Sequence, residues 1–131
     1  MRAMTTSPAT SIARFSLVAL DCPDPRALAG FYSAITGWPV HPDSRDDWVE
    51  LRADGPVTIA FQQAPGHRPP AWPDERSPQQ LHIDLDVPDL DDGEREVLAL
   101  GARKAEVQPK PERFRVYFDP AGHPFCLVLE D

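Results

Sequence analysis

The chain has little cysteine, little positive charge and no long apolar run. Two cysteines, Cys22 and Cys126, in 131 residues are too few for a disulfide scaffold. They read as free thiols in a reducing, cytoplasmic setting. A membrane span needs about 20 consecutive apolar residues, and Asp, Pro or Arg interrupts every apolar stretch here. Lys and Arg number 13 against 21 Asp and Glu, a net charge of −8. That balance repels phosphate backbones and anionic lipid, so neither nucleic acid nor a membrane is expected as a partner. There is no G-x-G-x-x-G, phosphate loop, H-E-x-x-H or C-x-x-C, and no recognisable local signature of a Ser or Cys nucleophile.

Apolar residues make up 41%, enough with glycine for one globular domain. Residues 1–11 lack an apolar signal segment and read as a disordered tail, with the domain over 12–130. Proline is abundant: 16 residues, about 12% against a usual ~5%. Five of them (Pro65, Pro69, Pro70, Pro73 and Pro78) lie in a stretch without periodicity, 63–80. That stretch reads as a stiff connector, and Trp72 within it is expected to dock, either packing on a neighbouring surface or contacting a ligand.

The segments on either side carry regular patterns. Ser11 or Ile12 to Cys22 is apolar on both faces and reads as a strand. Asp24 then suits a helix N-cap and Pro25 the first helical position. Leu28, Phe31, Tyr32 and Ile35 form one helical stripe, and Gly37 ends it. Strands follow at Trp48 to Arg52 and Val57 to Gln62, joined by the Ala53-Asp54-Gly55-Pro56 turn. In the second half, Leu81, Ile83, Leu85 and Val87 alternate with His82, Asp84 and Asp86 in a strand. Asp89 caps a helix carrying Leu90, Val97 and Leu98, and Gly101 ends it. Asp91, Asp92 and Glu94 read as its solvated face. Phe114 to Asp119 and Phe125 to Glu130 are strands around an Asp119-Pro120-Ala121-Gly122 turn.

The halves repeat. Leu20-Asp21-Cys22-Pro23-Asp24 matches Leu85-Asp86-Val87-Pro88-Asp89 at an offset of 65 residues, from Leu20 to Leu85. The expected class is α+β, with module one at 12–62 and module two at 81–130. Each sheet would pack one face on its helix, and the two free faces would enclose a cup.

With Phe31-Tyr32, Gly37-Trp38, His82-Ile83-Asp84-Leu85 and the Asp119-to-Phe125 segment, the chain resembles the vicinal oxygen chelate superfamily. This group contains glyoxalase I, bleomycin-resistance proteins, extradiol dioxygenases and fosfomycin-resistance enzymes, and the likeness is to a bacterial glyoxalase-like branch. The resemblance implies two paired βαβββ modules, a homodimer and a divalent-metal site in the cup. Carried over residue by residue, its ligand positions fall on Leu17, on or beside Ala60, on His82 and on Cys126. Leu17 and Ala60 have no donor atom, so no tightly bound metal at the four family positions is expected.

Candidate site residues follow from strand alternation. His82 shares a face with Asp84, an arrangement that suits a general base, an oriented ligand contact, a metal ligand or a purely structural hydrogen bond. Trp48, Glu50, Arg115 and Tyr117 are expected to face the cup, with Gln62 and Cys126, either as a ligand site or as an ion pair with aromatic packing. His41, His67 and His123 are expected to be solvated or structural. The leading expectation is a binder of a small organic molecule, anchored by His82 and without a cofactor. The alternative is an enzyme, either a metal-dependent lyase or dioxygenase or a metal-free one using His82 as acid/base.

Overall fold

The computed structural model describes residues 14–53 and 57–131. The expected tail at 1–11, the first residues of the expected first strand and the turn residues 54–56 lie outside them. The architecture is α+β, in two modules. Module one contains β1 (Val18–Cys22), α1 (Pro25–Thr36), β2 (Trp48–Arg52) and β3 (Thr58–Gln63); module two contains β4 (Ile83–Val87), α2 (Leu90–Ala99), β5 (Arg103–Lys104), β6 (Phe114–Phe118) and β7 (Pro124–Leu129). The sheets are ordered β1-β3-β2 and β4-β7-β6-β5.

The repeat carries through to the ladders. β1 runs parallel to β3, and β4 parallel to β7. Adding the 65-residue offset to β1 gives the bounds of β4. Module two is a complete βαβββ unit. In module one the strand corresponding to β5 is reduced to a single bridge, Val40 to Leu51. β1 is shorter than its apolar pattern suggested because its partner is short: the ladder opens at Val18 with Ile59 and closes at Cys22 with Gln63. Phe15, ahead of it, is exposed. Likewise β4 starts at Ile83, opposite Phe125, which leaves Leu81 half exposed and His82 just before the strand.

Both helices start as their sequences dictate. The Asp24 carboxylate accepts from the Ala27 N–H, and Asp89 from the Asp92 N–H, satisfying donors that have no intrahelical partner. Gly37 and Gly101 take positive φ, 75° and 109°. Leu28, Phe31 and Tyr32 are buried as expected. In α2 the buried stripe is Leu90, Gly93 and Val97, whereas Leu98, expected in the core, is exposed. It lies about 100° round the helix from Val97. Gly93 permits the close approach of α2 to its sheet: a Cβ there would meet Leu127 Cδ1 at 3.1 Å and Val87 Cγ1 at 3.3 Å.

One core runs through both modules. Phe31 and Tyr32 of α1 pack edge-on against Phe125 of β7, at 5.7 and 6.1 Å between centroids, and Phe125 stacks on Tyr117. The β6–β7 turn is fastened to the same core. Asp119 is 4% exposed; one carboxylate oxygen takes the N–H groups of Ala121 and His123, the other the Tyr32 hydroxyl at 2.7 Å.

Candidate functional site

Register decides which side chains reach the open face of each sheet. In the β6–β7 ladder, Arg115 pairs with Leu127 and Tyr117 with Phe125, while Phe114, Val116 and Phe118 pair with Val128, Cys126 and Pro124. Leu127 and Phe125 belong to the helix-side core. Arg115 and Tyr117 therefore face α2, a correction to the expectation that they line the cup. The Tyr117 hydroxyl donates to Glu94 at 2.9 Å, and Arg115 lies 3.0 Å from Asp91 and 3.4 Å from Glu94. Lys104 adds a further contact to Glu94 at 3.0 Å. Asp91 and Glu94 are thus not a merely solvated face; they receive the polar groups of β6. Burial works against the Glu94 charge, but Lys104, Tyr117 and Arg115 outweigh it and hold its carboxyl below the usual range.

The open face of module two is apolar. Ala105, Val116, Phe118 and Cys126 form a second cluster, with Trp72, Phe114 and Val128 against it. Trp72 comes from the connector, which folds back over this sheet. Val116 has both backbone groups satisfied by the Gln108 amide, at 2.8 and 2.9 Å, beyond the short β5.

At one edge of this face three polar groups converge. Asp84 and Cys126 are Cα partners across β4 and β7, and His82 precedes β4 on the same side. His82 Nε2 lies 3.2 Å from Asp84 Oδ1, and donor atoms of His82, Asp84 and Cys126 all fall within 4.8 Å of one another. Burial, then the Asp84 charge and hydrogen bond, push the Cys126 thiol up to about 11. A thiol so displaced stays protonated at neutral pH and is a poor nucleophile. His82 and Cys126 line a cavity of about 260 Å³ with Trp72, Gln79, Phe114 and Val116. Among the described residues none of module one lines it, so its walls are module two and the connector, not the two modules expected to share a cup.

The donor set suits a divalent cation. Imidazole, carboxylate and thiolate are all zinc ligands, and three with an open position is the usual catalytic count. Asp84 supplies the third donor, which counting only the four family positions left out.

The module-one candidates sit elsewhere. The Trp48 indole N–H donates to Glu50 Oε2 at 2.8 Å, and Arg52 reaches Glu50 Oε1 at 3.0 Å. The Trp48 bond foremost, then Arg52, holds Glu50 below the usual carboxylate range. Glu50 is thereby committed to its own strand. Gln62 is the Cα partner of Trp48. Trp48 and Glu50 border a pocket of about 110 Å³, separate from the cavity at His82. By ladder pairing, the module-one equivalents of Asp84 and Cys126 are Ala19 and Ala60, themselves Cα partners. Module one has the framework of the site without its polar groups. Gln79 escaped the sequence reading because it lies in the aperiodic connector, and Phe114 because β6 carries aromatic rings on both faces; the acids on α2 were the available signal for its orientation.

The residues from 17 to 128 match the glyoxalase-like domain family. No curated protein matches the chain. Among solved structures, a glyoxalase/bleomycin resistance protein/dioxygenase family enzyme from Burkholderia phytofirmans PsJN is 19% identical, with 87% of this chain and 96% of that one covered and a TM-score of 0.66. A glyoxylase/bleomycin resistance protein/dioxygenase domain from Frankia sp. EAN1pec is 21% identical, with 92% and 100% covered and a TM-score of 0.63. A glyoxalase-related enzyme from Fulvimarina pelagi is 14% identical, with 91% and 89% covered and a TM-score of 0.64. At such identities the structures speak for the fold, and the domain match for the family: the chain belongs to the glyoxalase-like domain family of the vicinal oxygen chelate superfamily.

Proposed function

We propose that the protein binds a small organic molecule on the open face of module two, with His82, Asp84 and Cys126 as the polar end of the site. The observation that carries this reading is the clustering of those three side chains within 4.8 Å at a cavity of about 260 Å³ that His82 and Cys126 line, with Asp84 against His82. Its other walls, Trp72, Phe114 and Val116, are apolar and largely aromatic, the usual make-up of a small-molecule pocket. They favour a flat, apolar ligand body with one hydrogen-bonding head. Asp84 beside Nε2 fixes the imidazole in the tautomer with its lone pair on Nδ1. His82 then accepts a hydrogen bond from the ligand head, or takes a proton from it. Cys126, held as a thiol, packs and donates weakly. The proposal includes a homodimer, which would cover the sheet edges.

The donor set supports a second reading, a divalent cation held by His82, Asp84 and Cys126. Such an ion would supply Lewis-acid polarisation of a ligand oxygen. Cys126 would lose its proton on binding, so affinity would rise with pH.

Two measurements separate these readings. Elemental analysis of protein purified without chelators, at less than about 0.2 ion per chain, removes the cation; a stoichiometric ion lost in His82→Ala supports it. A thermal-shift ligand screen on wild type and His82→Ala should give hits that stabilise only the wild type. Hits that stabilise both equally make His82 structural and this site assignment wrong.

A further inference from the structure

Another cavity, of about 440 Å³, lies where β1 meets the connector and the β6–β7 turn. It is distinct from the cavity at His82. Gln79 and His82 line the smaller one, while Gln80 and Leu81 between them line the larger.

Its polar lining holds Arg68 and two histidines with a single carboxylate, Asp21, in a chain whose net charge is −8. His67 and His123 stand side by side, ring centroids 5.0 Å apart. Each is pinned through Nε2 to a backbone carbonyl, His67 to Ala121 at 2.9 Å and His123 to Asp21 at 2.6 Å. A carbonyl only accepts, so both Nε2 atoms carry the hydrogen, and each Nδ1 is left with a lone pair when the ring is neutral. Arg68 lines the same cavity, is exposed, and makes no ion pair with the described residues. The charged groups around the two rings are Asp21 from β1, Arg68 from the connector and the buried Asp119 of the turn. Asp119 is already engaged by Tyr32, Ala121 and His123. Among the described residues, only Asp21 brings a carboxylate to the cavity wall. Ser77 and Gln80 add uncharged polar groups, and the rest of the wall is apolar, from Ala19, Pro78 and Leu81 among others.

We propose that this cavity binds a small organic carboxylate, its head against Arg68 and the His67–His123 pair and its apolar body against the connector prolines and Leu81. The arginine supplies a permanent charge and a planar fork suited to a carboxylate. The two Nδ1 atoms, which the Nε2 bonds leave without a hydrogen on a neutral ring, add hydrogen-bonding positions beside the arginine. The volume lies within the roughly 300–1,000 Å³ of small-ligand sites. The proposal is independent of the role given to His82.

The test is a titration of isotopically labelled protein, followed by NMR, with benzoate, with neutral benzamide and with inorganic phosphate, each to ~10 mM, the range of fragment-sized ligands. Benzoate should shift the resonances of His67, His123 and Leu81. Arg68→Gln should weaken it about tenfold while keeping the wild-type melting temperature, because Arg68 is exposed. The proposal is overturned if benzoate causes no shifts, if benzamide or phosphate binds as tightly, if Arg68→Gln binds like wild type, or if the shifts cluster at His82 instead.

Discussion

Asp84 and Cys126 face each other across the parallel β4–β7 ladder as Cα partners, and the same two places in module one hold Ala19 and Ala60, also Cα partners. The two modules share a backbone plan but differ in chemistry. The polar groups of this site are confined to module two, and the apolar pair in module one leaves only packing there. That asymmetry motivates the assignment to module two.

Tyr32→Phe removes a buried hydrogen bond to the Asp119 carboxylate, made at 2.7 Å. Hydrogen bonds to charged groups contribute about 1.5–3 kcal/mol, and their loss leaves the acceptor short of a partner. Urea unfolding should show a loss of that size, since the bond ties α1 to the β6–β7 turn. A loss below about 0.5 kcal/mol, the scale of surface substitutions, would mean that the turn holds itself.

Glu94 joins α2 to β5 and β6 through Lys104, Tyr117 and Arg115. Its folded pKa lies below the ordinary value of 4.5. Its contribution to stability is therefore present above the unfolded pKa and lost as pH falls through the folded one. Glu94→Gln should be less stable than wild type at pH 7, and the gap should close on acidification below about pH 4. A gap that does not change with pH would show that the carboxylate charge contributes nothing.

Alkali should act in the opposite sense. Burial pushes the thiols of Cys22 and Cys126 up to about 11 each. The unfolded chain loses these protons first, so folding is favoured below the unfolded pKa and loses that contribution as pH rises towards 11. Replacing Cys126 with Ala should flatten part of the fall in unfolding free energy between about pH 8.5 and 10.5, as read by urea titration. Both thiols should also react slowly with a disulfide reagent at pH 8. Rapid reaction of either in the native protein would contradict its placement.

Gly122 has φ of 90°, and a Cβ built on it would collide with Pro69 of the connector. Gly122→Ala should both strain the turn and push the connector away. The expected readout is a lower melting temperature together with a change in Trp72 fluorescence. Wild-type stability with an unchanged spectrum would contradict the observed seating of the connector.

Much of the fold was legible because its signals are local. Asp24 and Asp89 as caps, Gly37 and Gly101 as stops, and the repeated Leu-Asp-x-Pro-Asp segment each act within a few residues. The short strand β5 offered no such signal: two exposed residues, Arg103 and Lys104, are paired only because β6 lies beside them. The contact between His82 and Asp84 follows from alternation within one segment. The orientation of β6 did not, because Val116 and Tyr117 are both buried, and only the distant Asp91 and Glu94 determine which face turns to the helix. The seat of the connector over module two includes the packing of Trp72 against the cluster of Ala105, Val116, Phe118 and Cys126, which no local pattern encodes.

The most direct test of the account is calorimetric titration of the best ligand from the screen into wild type, His82→Ala and Arg115→Ala. Losing an oriented, charge-assisted hydrogen bond costs about 1.5–3 kcal/mol, or about ten- to a hundredfold in affinity. His82→Ala should weaken binding by that factor, and Arg115→Ala, altered on the helix side of the sheet, should leave it unchanged. Equal affinity for His82→Ala and wild type, or a loss confined to Arg115→Ala, would contradict a site on the open face of module two.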